Sequence, residues 1–573
     1  MSRKVKEFAL NKKRRKSLIL AAALVLLAVL AVVMKFNFPA EIWLADKINK
    51  IEPEKNHYVL FYQDNKLISG NPDYFNHDVQ EIQVGNNKKY LINHARGFAM
   101  EFPRDAEFDF SSAADYISAA TDDMKIVISK EYTPYTDGSA TRGYVEEYLH
   151  KYLLADSYIE NNRLTIHKNA IEKINKYWVQ VLAFSRQPAP DSKVKFNTYV
   201  YCYVYTGTTK FYRIMFKAAD YSDALLDQVY RSLYSFEGDL DIKGKSKNTT
   251  DFKPNVPDYW SAETKKFYDE LVNGDKIKWG IYQPLNVRSN DMSDILELEK
   301  KLDYRFDGVL EYLYFGEELP ADGMLAAYED GKTIELTIQT STVMNENLDG
   351  YNPVFDILDG TRDDEIYALA KAIKDYGHPI LFRLNNEMNS DWTSYGVSAC
   401  MNDPDIYVEL WQKIYDMFRE TGVDNTIWVF NPNDESFPPH GYNATQSFYP
   451  GDDYVQVFGV TGYNTGTYYK ENNEKWKTFD DIYGHIYERH HDTYKNFPWI
   501  ITEFASSSIG GDKVKWINDM FKDIKKYPNI RMAFWFNSAD YDLKYGKDVK
   551  PARPYWLDEN EETLAAFKKG LKG

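Results

Sequence analysis

The order of hydrophobic and polar positions divides the chain into a short apolar segment, a mixed region and a C-terminal half with regular alternation. Residues 17–34 read SLILAAALVLLAVLAVVM and contain no charged side chain. A helix of this length spans ~27 Å at ~1.5 Å per residue, which is enough to cross the hydrocarbon core of a bilayer. The pattern therefore predicts a transmembrane helix at 17–34, and a cleaved secretory signal is the alternative interpretation.

The charges around this segment predict its orientation. Residues 1–16 form a basic tail with eight Lys or Arg side chains and one Glu. By the positive-inside rule the N-terminus is expected in the cytoplasm, with everything after the apolar segment outside it. The whole chain has a net charge of −17 despite this basic tail, so the remainder is strongly acidic. Such a surface repels phosphate backbones, and no nucleic-acid partner is expected.

Residues 50–237 mix strand-like and helix-like patterns, which is typical of an α+β domain. Strands are predicted at 58–62, 97–102, 125–130, 177–184, 198–205 and 210–216, and helices at 141–155 and 222–236. We find no catalytic constellation in this region. The polar stretch 238–257, which contains Gly and Pro and has no periodicity, predicts a linker.

The C-terminal half alternates apolar, β-rich runs with helical segments. The predicted strands are 278–283, 308–315, 333–340, 379–385, 426–431, 455–461, 499–504 and 531–537. Eight such runs in about 300 residues are typical of a (β/α)8 barrel. The predicted fold class is therefore α/β, with a C-terminal (β/α)8 TIM barrel at 258–573 that follows the α+β domain and the transmembrane helix.

Two glutamates stand where the fourth and seventh predicted strands end, Glu387 and Glu503. Active sites of such barrels lie at the C-terminal ends of the strands, so both carboxyl groups are expected at one opening. A protonated and an ionised carboxyl group about 5–5.5 Å apart are what retaining glycoside hydrolysis requires. The alternative interpretation is that each glutamate is an ordinary polar residue at the rim.

The residues around these glutamates resemble glycoside hydrolase family 26, a family of β-mannanases and their relatives. RLNNEMNSDW at 383–392 resembles the acid/base segment of that family, and ITEF at 501–504 resembles its nucleophile segment. The likeness includes WVFNPN at 428–433, YPGDDYV at 449–455 and GYN at 462–464, and extends over about 275–545.

This resemblance implies a role for each matching residue. Glu387 would be the general acid/base and Glu503 the nucleophile. The remaining positions would bind substrate or support the carboxylates: Tyr463 by hydrogen bonding to the nucleophile, Trp535 as the floor under the reacting sugar, Trp392 by stacking on a neighbouring sugar, and Arg383 from beneath the carboxylates. Members of the family typically have His before the acid/base, where this chain has Asn386, so a preference for mannan is not implied. The wider clan commonly has Asn at this position, and the resemblance implies that Asn386 binds substrate by hydrogen bonding to the sugar 2-hydroxyl.

The sequence thus predicts a membrane-anchored, extracytoplasmic endo-β-glycanase that acts on a β-linked polysaccharide without a cofactor or metal. Cys202 and Cys400 form no metal-spaced set. Two alternatives stay open. The barrel could bind carbohydrate without hydrolysing it, or the α+β domain could carry the main function as a sensor or partner module. The oligomeric state is not predicted.

Overall fold

The computed structural model describes residues 58–63, 66–67, 79–84, 88–110, 116–133, 141–240, 251–341, 350–545 and 549–573. Within these ranges no helix is long and apolar enough to cross a bilayer. The basic tail at 1–16 and the predicted transmembrane helix at 17–34 lie outside the described residues.

The N-terminal region contains two antiparallel sheets. One follows the order β13-β5-β4-β3-β1-β2 and the other β6-β7-β8-β12-β11-β10-β9. The strands are β1 Tyr58–Gln63, β2 Lys66–Leu67, β3 Val79–Val84, β4 Lys88–Asn93, β5 Phe98–Phe102, β6 Glu107–Asp109, β7 Tyr116–Ala120, β8 Met124–Tyr132, β9 Leu164–Ile174, β10 Tyr177–Arg186, β11 Thr198–Tyr205, β12 Lys210–Ala218 and β13 Glu237–Gly238. All six predicted strands are present, and the remaining strands were missed.

Eight parallel strands close into a barrel in which each strand pairs with the next and the last pairs with the first. They are β14 Lys278–Tyr282, β15 Gly308–Tyr314, β16 Thr333–Gln339, β17 Ile380–Leu384, β18 Thr426–Phe430, β19 Val457–Thr461, β20 Trp499–Phe504 and β21 Ile530–Phe536. A hairpin of β22 Ala539–Asp542 and β23 Lys550–Pro554 follows. The predicted barrel and its eight strands are confirmed.

The α-helices are α1 Thr141–Tyr144, α2 Asp156–Asn161, α3 Asp223–Ser235, α4 Ala262–Asn273, α5 Ser293–Leu302, α6 Ala321–Glu329, α7 Pro353–Asp359, α8 Asp363–Tyr376, α9 Asp405–Thr421, α10 Phe479–Tyr494, α11 Lys513–Asp523 and α12 Glu561–Leu571. Local chemistry sets several of their ends. A capping box of Thr478 and Asp481 begins α10. Left-handed glycines, Gly377 and Gly422, end α8 and α9. The predicted helix at 141–155 is shorter, because α1 continues only as a π-helical turn, Val145–Leu149.

The barrel interior is apolar at one end and polar at the other. Side chains such as Leu310, Leu381, Val457 and Phe534 form the apolar layer, which α4 covers with Tyr268 and other rings. Above it, towards the C-terminal ends of the strands, the inward positions are polar. The lower layer therefore stabilises the barrel by hydrophobic burial, and the upper layer provides the chemistry.

The seven-stranded sheet packs directly against the barrel. Along β11, Tyr199, Tyr201 and Tyr203 join the hydrophobic core shared with the barrel helices, while the alternate residues Val200 and Cys202 pack against the other N-terminal elements. Period-two alternation thus lets one sheet contact two layers.

The described part of the predicted linker at 238–257 contacts its neighbours at both ends, and the linker itself stays a prediction. Gly238 still pairs with β5, and the ring of Phe252 lies 4.1 Å from that of Tyr449, centroid to centroid, on the barrel. Residues 241–250 lie outside the described residues. The contact of Phe252 has a physical cause, because an aromatic side chain is stabilised by burial against another apolar ring.

Candidate active site

Glu387 lies in a tight turn directly after β17. Asn385 and Glu387 both have φ near +56°, the left-handed region that non-glycine residues rarely adopt. The side chain of Asn385 stabilises the turn, since its Oδ1 accepts from the backbone N–H of Thr340 over 2.7 Å. The N–H of Glu387 donates to the carbonyl of Asn431 over 2.9 Å. Backbone strain at such positions is typical of functional sites.

The carboxyl group of Glu387 is half-buried at the mouth of the barrel and faces a second carboxylate. Loss of water through burial, and then the negative charge of Glu503, raise its pKa to about 8. Asn433 donates from Nδ2 to Oε1 over 2.5 Å, which opposes part of this shift. At neutral pH Glu387 therefore holds a proton that it can donate.

A β-bulge turns Glu503 towards the barrel interior. In the pairing of β19 with β20, Val460 lies opposite Ile501 but Thr461 lies opposite Glu503, so one residue of β20 is skipped. Ile500 and Thr502 already contact interior residues, and regular alternation would turn Glu503 towards the helices. Bulges often re-aim a side chain next to an active site in this way.

Three donors hold the carboxylate of Glu503. Nη1 of Arg383 donates to Oε1 over 2.8 Å, and the hydroxyls of Tyr312 and Tyr463 donate to Oε2 over 2.5 and 2.7 Å. Burial and the charge of Glu503 raise the pKa of both tyrosines well above the ordinary value. They therefore remain donors, and the arrangement stabilises an ionised and fixed carboxylate.

Arg383 lies between two buried carboxyl groups. Its Nε is 3.2 Å from Oε1 of Glu335, a side chain of β16 with no exposure to solvent. Burial and the charge of Glu503 raise the pKa of Glu335 to about 8, although Arg383 opposes the shift. The three side chains together have no net charge only if one carboxyl group keeps its proton. The buried site of Glu335 favours the protonated form of that group.

The amide of Asn386 is oriented by two donors. Its Oδ1 accepts from Nε2 of Gln339 over 2.8 Å and from the hydroxyl of Tyr395 over 3.0 Å. Its Nδ2 lies 3.5 Å from Oε2 of Glu387. The Nδ2 donor is thereby directed into the space beside Glu387.

Trp392 lies on the surface of the loop that follows the Glu387 turn. Its side chain is 47% exposed, and its ring centroid lies 5.4 Å from that of Phe437, which is 39% exposed. Two exposed aromatic rings at the rim of an opening are suited to the apolar faces of sugar rings.

Trp535 was expected beneath the reacting sugar, and this prediction is wrong. Its side chain has no solvent exposure, its Nε1 donates to the carbonyl of Tyr555, and its ring contacts Phe504 and Phe567. Met532 and Phe534 point inward on β21, so Trp535 points to the helices by alternation.

The next residue, Phe536, is the aromatic group of β21 at the barrel mouth. Its half-buried ring stacks on that of Tyr282, with 4.7 Å between the centroids, and its ring contacts the edge of Tyr463.

The structure thus brings together Arg383, Asn386, Glu387, Tyr463 and Glu503. It adds supporting residues that the sequence reasoning missed: Tyr312, Glu335, Gln339, Tyr395, Asn433 and Phe536. A single charged residue inside the otherwise uncharged strand TIELTIQ was the available signal for Glu335. Asn433 and Tyr395 lie in loops, where no periodicity marks a position.

The two glutamates have opposite environments in one opening. Glu387 faces another negative charge and keeps its proton, whereas Glu503 has a cation and two phenol donors. This pair can supply an acid and a nucleophile to one bond. Among the described residues, no group of three or more His, Cys, Asp or Glu side chains is arranged to hold a metal ion.

Comparison with known proteins shows that part of this chain is similar to one family of enzymes. Residues 228–488 match the model of Glycosyl hydrolase family 26. This range includes Glu387 and ends before Glu503. The predicted resemblance to this family is confirmed.

Several characterised proteins share this similarity. Endoglucanase H of Acetivibrio thermocellus is 33% identical over 227 residues, which are 39% of this chain and 23% of that protein. A mannan endo-1,4-beta-mannosidase of Bacillus subtilis strain 168 is 29% identical over 208 residues, 35% of this chain and 44% of that protein. The chain spans less than half the length of these relatives. The solved structure of Bacillus subtilis mannanase man26 is 18% identical, covers 55% of this chain and 93% of its own, and has a TM-score of 0.38.

Proposed function

Because the C-terminal half is similar to glycosyl hydrolase family 26, we propose that the protein is a retaining endo-β-glycanase that hydrolyses a β-linked polysaccharide by double displacement. The observation that carries this proposal is the opposite environment of Glu387 and Glu503. Relatives named as an endoglucanase and as mannan endo-1,4-beta-mannosidases support glucan or mannan as the substrate class.

In the first step Glu387 donates its proton to the glycosidic oxygen as the bond to the anomeric carbon breaks. Oε1 or Oε2 of Glu503 attacks that carbon and forms a covalent glycosyl-enzyme. Arg383 and the two tyrosine hydroxyls keep the carboxylate ionised and oriented before the attack. The Nδ2 donor of Asn386 is placed to hydrogen-bond a sugar hydroxyl, a contact that strengthens in the transition state.

In the second step the roles of Glu387 reverse. After the leaving group has departed, its carboxylate accepts a proton from water, and that water attacks the glycosyl-enzyme. Formation of the ester on Glu503 removes one negative charge from the site. The pKa of Glu387 then falls, which suits its role as a base.

The test is hydrolysis by the purified chain of β-mannan, mixed-linkage β-glucan and β-xylan. Glu387→Gln and Glu503→Gln serve as matched isosteric variants. We expect hydrolysis of at least one polysaccharide and a loss of at least about 10³-fold in both variants. Binding without hydrolysis, unchanged in both variants, would establish the carbohydrate-binding alternative instead.

We also propose that residues 17–34 anchor the enzyme in the cell membrane, with residues 1–16 in the cytoplasm and the barrel outside. The uncharged segment and the basic tail support this topology. The test is fractionation of cells that express the full chain or a chain lacking residues 1–35. Full-length protein should enter the membrane fraction and be digested by protease added to intact cells; free protein in the medium would contradict the anchor.

A further inference from the structure

The turn that carries Glu387 is attached to the loop at 431–444, which follows β18. Within this 431–444 loop, the N–H of Asn433 donates to Oδ1 of Asn389 over 2.7 Å, and the N–H of Phe437 donates to the carbonyl of Asn389 over 2.8 Å. The same loop supplies the Nδ2 donor that bonds Glu387. The position of the Glu387 carboxyl group therefore depends on where the 431–444 loop lies.

The N-terminal domain holds the centre of this loop through His440. Nδ1 of His440 lies 3.1 Å from Oε2 of Glu131 on β8, and Nε2 lies 2.6 Å from the hydroxyl of Tyr144 on α1. The N–H of Gly441 donates to the same Oε2 of Glu131 over 3.1 Å. All three side chains are buried. Burial disfavours the charge of Glu131, but His440 outweighs it and lowers the pKa of Glu131.

The same domain also contacts the loop at 388–404, which follows the turn that carries Glu387. The hydroxyl of Tyr201 donates to the carbonyl of Met401 over 2.6 Å, and Nδ2 of Asn402 donates to the carbonyl of Leu149 over 2.8 Å. Tyr148 donates to Asp391, next to the exposed Trp392. The 388–404 loop and the 431–444 loop are thus both hydrogen-bonded to the seven-stranded sheet or to the helical segment at 141–149.

We propose that the N-terminal domain is a positioning element of the active site, and that Glu131, Tyr144 and His440 are positioning residues that fix Glu387 through the 431–444 loop. This inference rests on the proposed function. On this proposal catalysis needs both domains, and the N-terminal domain is more than a separate partner module. Displacement of a catalytic group by about 1 Å costs on the order of 10²-fold in rate.

The position of the 431–444 loop affects the acid step in particular. The groups that face Glu387 are Glu503 on β20, Arg383 on β17, Asp434 on the 431–444 loop, and the phenols of Tyr395 and Tyr463. Asn433 is the hydrogen-bond donor that opposes the rise in the pKa of Glu387. If the loop shifts, this donor is lost, the pKa of Glu387 rises further, and proton transfer to the leaving oxygen weakens.

The test compares Tyr144→Phe and Glu131→Gln in the full chain on two aryl β-glycosides of the same sugar. A 2,4-dinitrophenyl leaving group needs no proton, whereas a phenyl leaving group does. We expect kcat/KM on the phenyl glycoside to fall about tenfold or more, with the dinitrophenyl value within about twofold. The basic limb of the pH profile should move to higher pH.

The matched control is Asp359→Asn, which breaks a domain contact away from the 431–444 loop. Arg186 on β10 donates to Asp359 from two nitrogens, over 2.7 and 2.8 Å. This variant should be less stable, but its kcat/KM should change by the same factor on the phenyl and the dinitrophenyl glycoside. Equal losses on both substrates in Tyr144→Phe, or no loss, would overturn the proposal.

Hydrogen exchange separates this proposal from the catalytic one. The backbone amides of 431–444 should exchange faster in Tyr144→Phe than in the unmodified chain, and not in Asp359→Asn. Inactivity of the unmodified chain on every glycan and glycoside, together with faster exchange in the 431–444 loop, would overturn the proposed function but retain the coupling between the domain and the loop. Unchanged exchange would overturn the coupling even in an active enzyme.

Discussion

Arg383 donates through Nη1 to Oε1 of Glu503 over 2.8 Å, and both groups are almost completely removed from solvent. Burial alone would lower the pKa of Arg383, but the carboxyl groups of Glu335 and Glu503 raise it. The cation is therefore permanent. A permanent charge at this distance stabilises negative charge on the proposed nucleophile, whereas burial and Glu503 raise the pKa of Glu387, the proposed acid.

The two phenols that share Oε2 of Glu503 should each contribute to catalysis. Removal of one donor from a carboxylate costs about 1.5–3 kcal/mol, which corresponds to roughly 10- to 100-fold in rate. We therefore expect Tyr463→Phe and Tyr312→Phe to lower kcat by about this factor with a small change in KM. Steady-state kinetics on the polysaccharide measures both. Tyr487→Phe, which loses one hydrogen bond to Asn529 away from the site, is the matched control. Unchanged kcat in both site variants would contradict this role.

The pH dependence of kcat/KM should have its basic limb near pH 8. Glu387 must be protonated to act as an acid, and its pKa is raised to about 8 by burial and by Glu503. Activity should therefore fall as the pH rises through that value, because deprotonated Glu387 cannot donate. The dinitrophenyl glycoside, which needs no acid, should lack this limb. A basic limb near pH 5 on the phenyl glycoside would show that Glu387 is ionised at neutral pH.

Glu335→Gln should stabilise the protein at high pH relative to the unmodified chain. Burial and Glu503 raise the pKa of Glu335 from about 4.5 to about 8, so the folded state holds a proton that the unfolded chain releases. The stability from this proton is complete below pH ~4.5 and is lost as the pH rises towards 8. At ~1.4 kcal/mol per pKa unit, the advantage of the glutamine variant should reach roughly 4 kcal/mol at pH 8.

Denaturant unfolding at pH 5 and pH 8 measures this difference. If Glu335 were ionised beside Arg383 instead, the glutamine variant would be less stable at pH 8, and that outcome would reject the neutral assignment.

Substitution of Trp535 should affect stability, whereas substitution of its neighbour Phe536 on β21 should affect substrate binding. Trp535→Phe removes buried volume and a hydrogen bond to Tyr555, and we expect the free energy of unfolding to fall by about 1–3 kcal/mol with kcat/KM nearly unchanged. Phe536→Ala removes a ring at the mouth and should raise KM several-fold. Thermal unfolding and steady-state kinetics on both variants separate the two effects. A larger kinetic effect in Trp535→Phe would restore its predicted contact with the sugar.

Eight apolar, β-rich runs separated by helical segments predicted the barrel, because its strands are buried on both faces and are apolar almost throughout. Period-two alternation then places Arg383 on the inward face of β17, which it shares with Leu381. The N-terminal sheets were less predictable. Short strands such as β3 and β4 carry polar residues at buried positions, including Gln80 and Glu81, and their patterns resemble loops.

The residue types that reach the strand ends follow from the sequence, because strand length and alternation are local properties of the chain. Glu387, Asn386, Tyr463 and Glu503 could therefore be named as site candidates. The directions of two side chains, those of Glu503 and Trp535, depend instead on how the strands pair in the folded barrel. Alternation alone would turn Glu503 outward, and a bulge against β19 turns it inward. The register of β21 places Trp535 outside and Phe536 at the mouth. The contacts of Glu131 and Tyr144 with His440 join residues about 300 positions apart in the sequence. They form only because the two domains pack together.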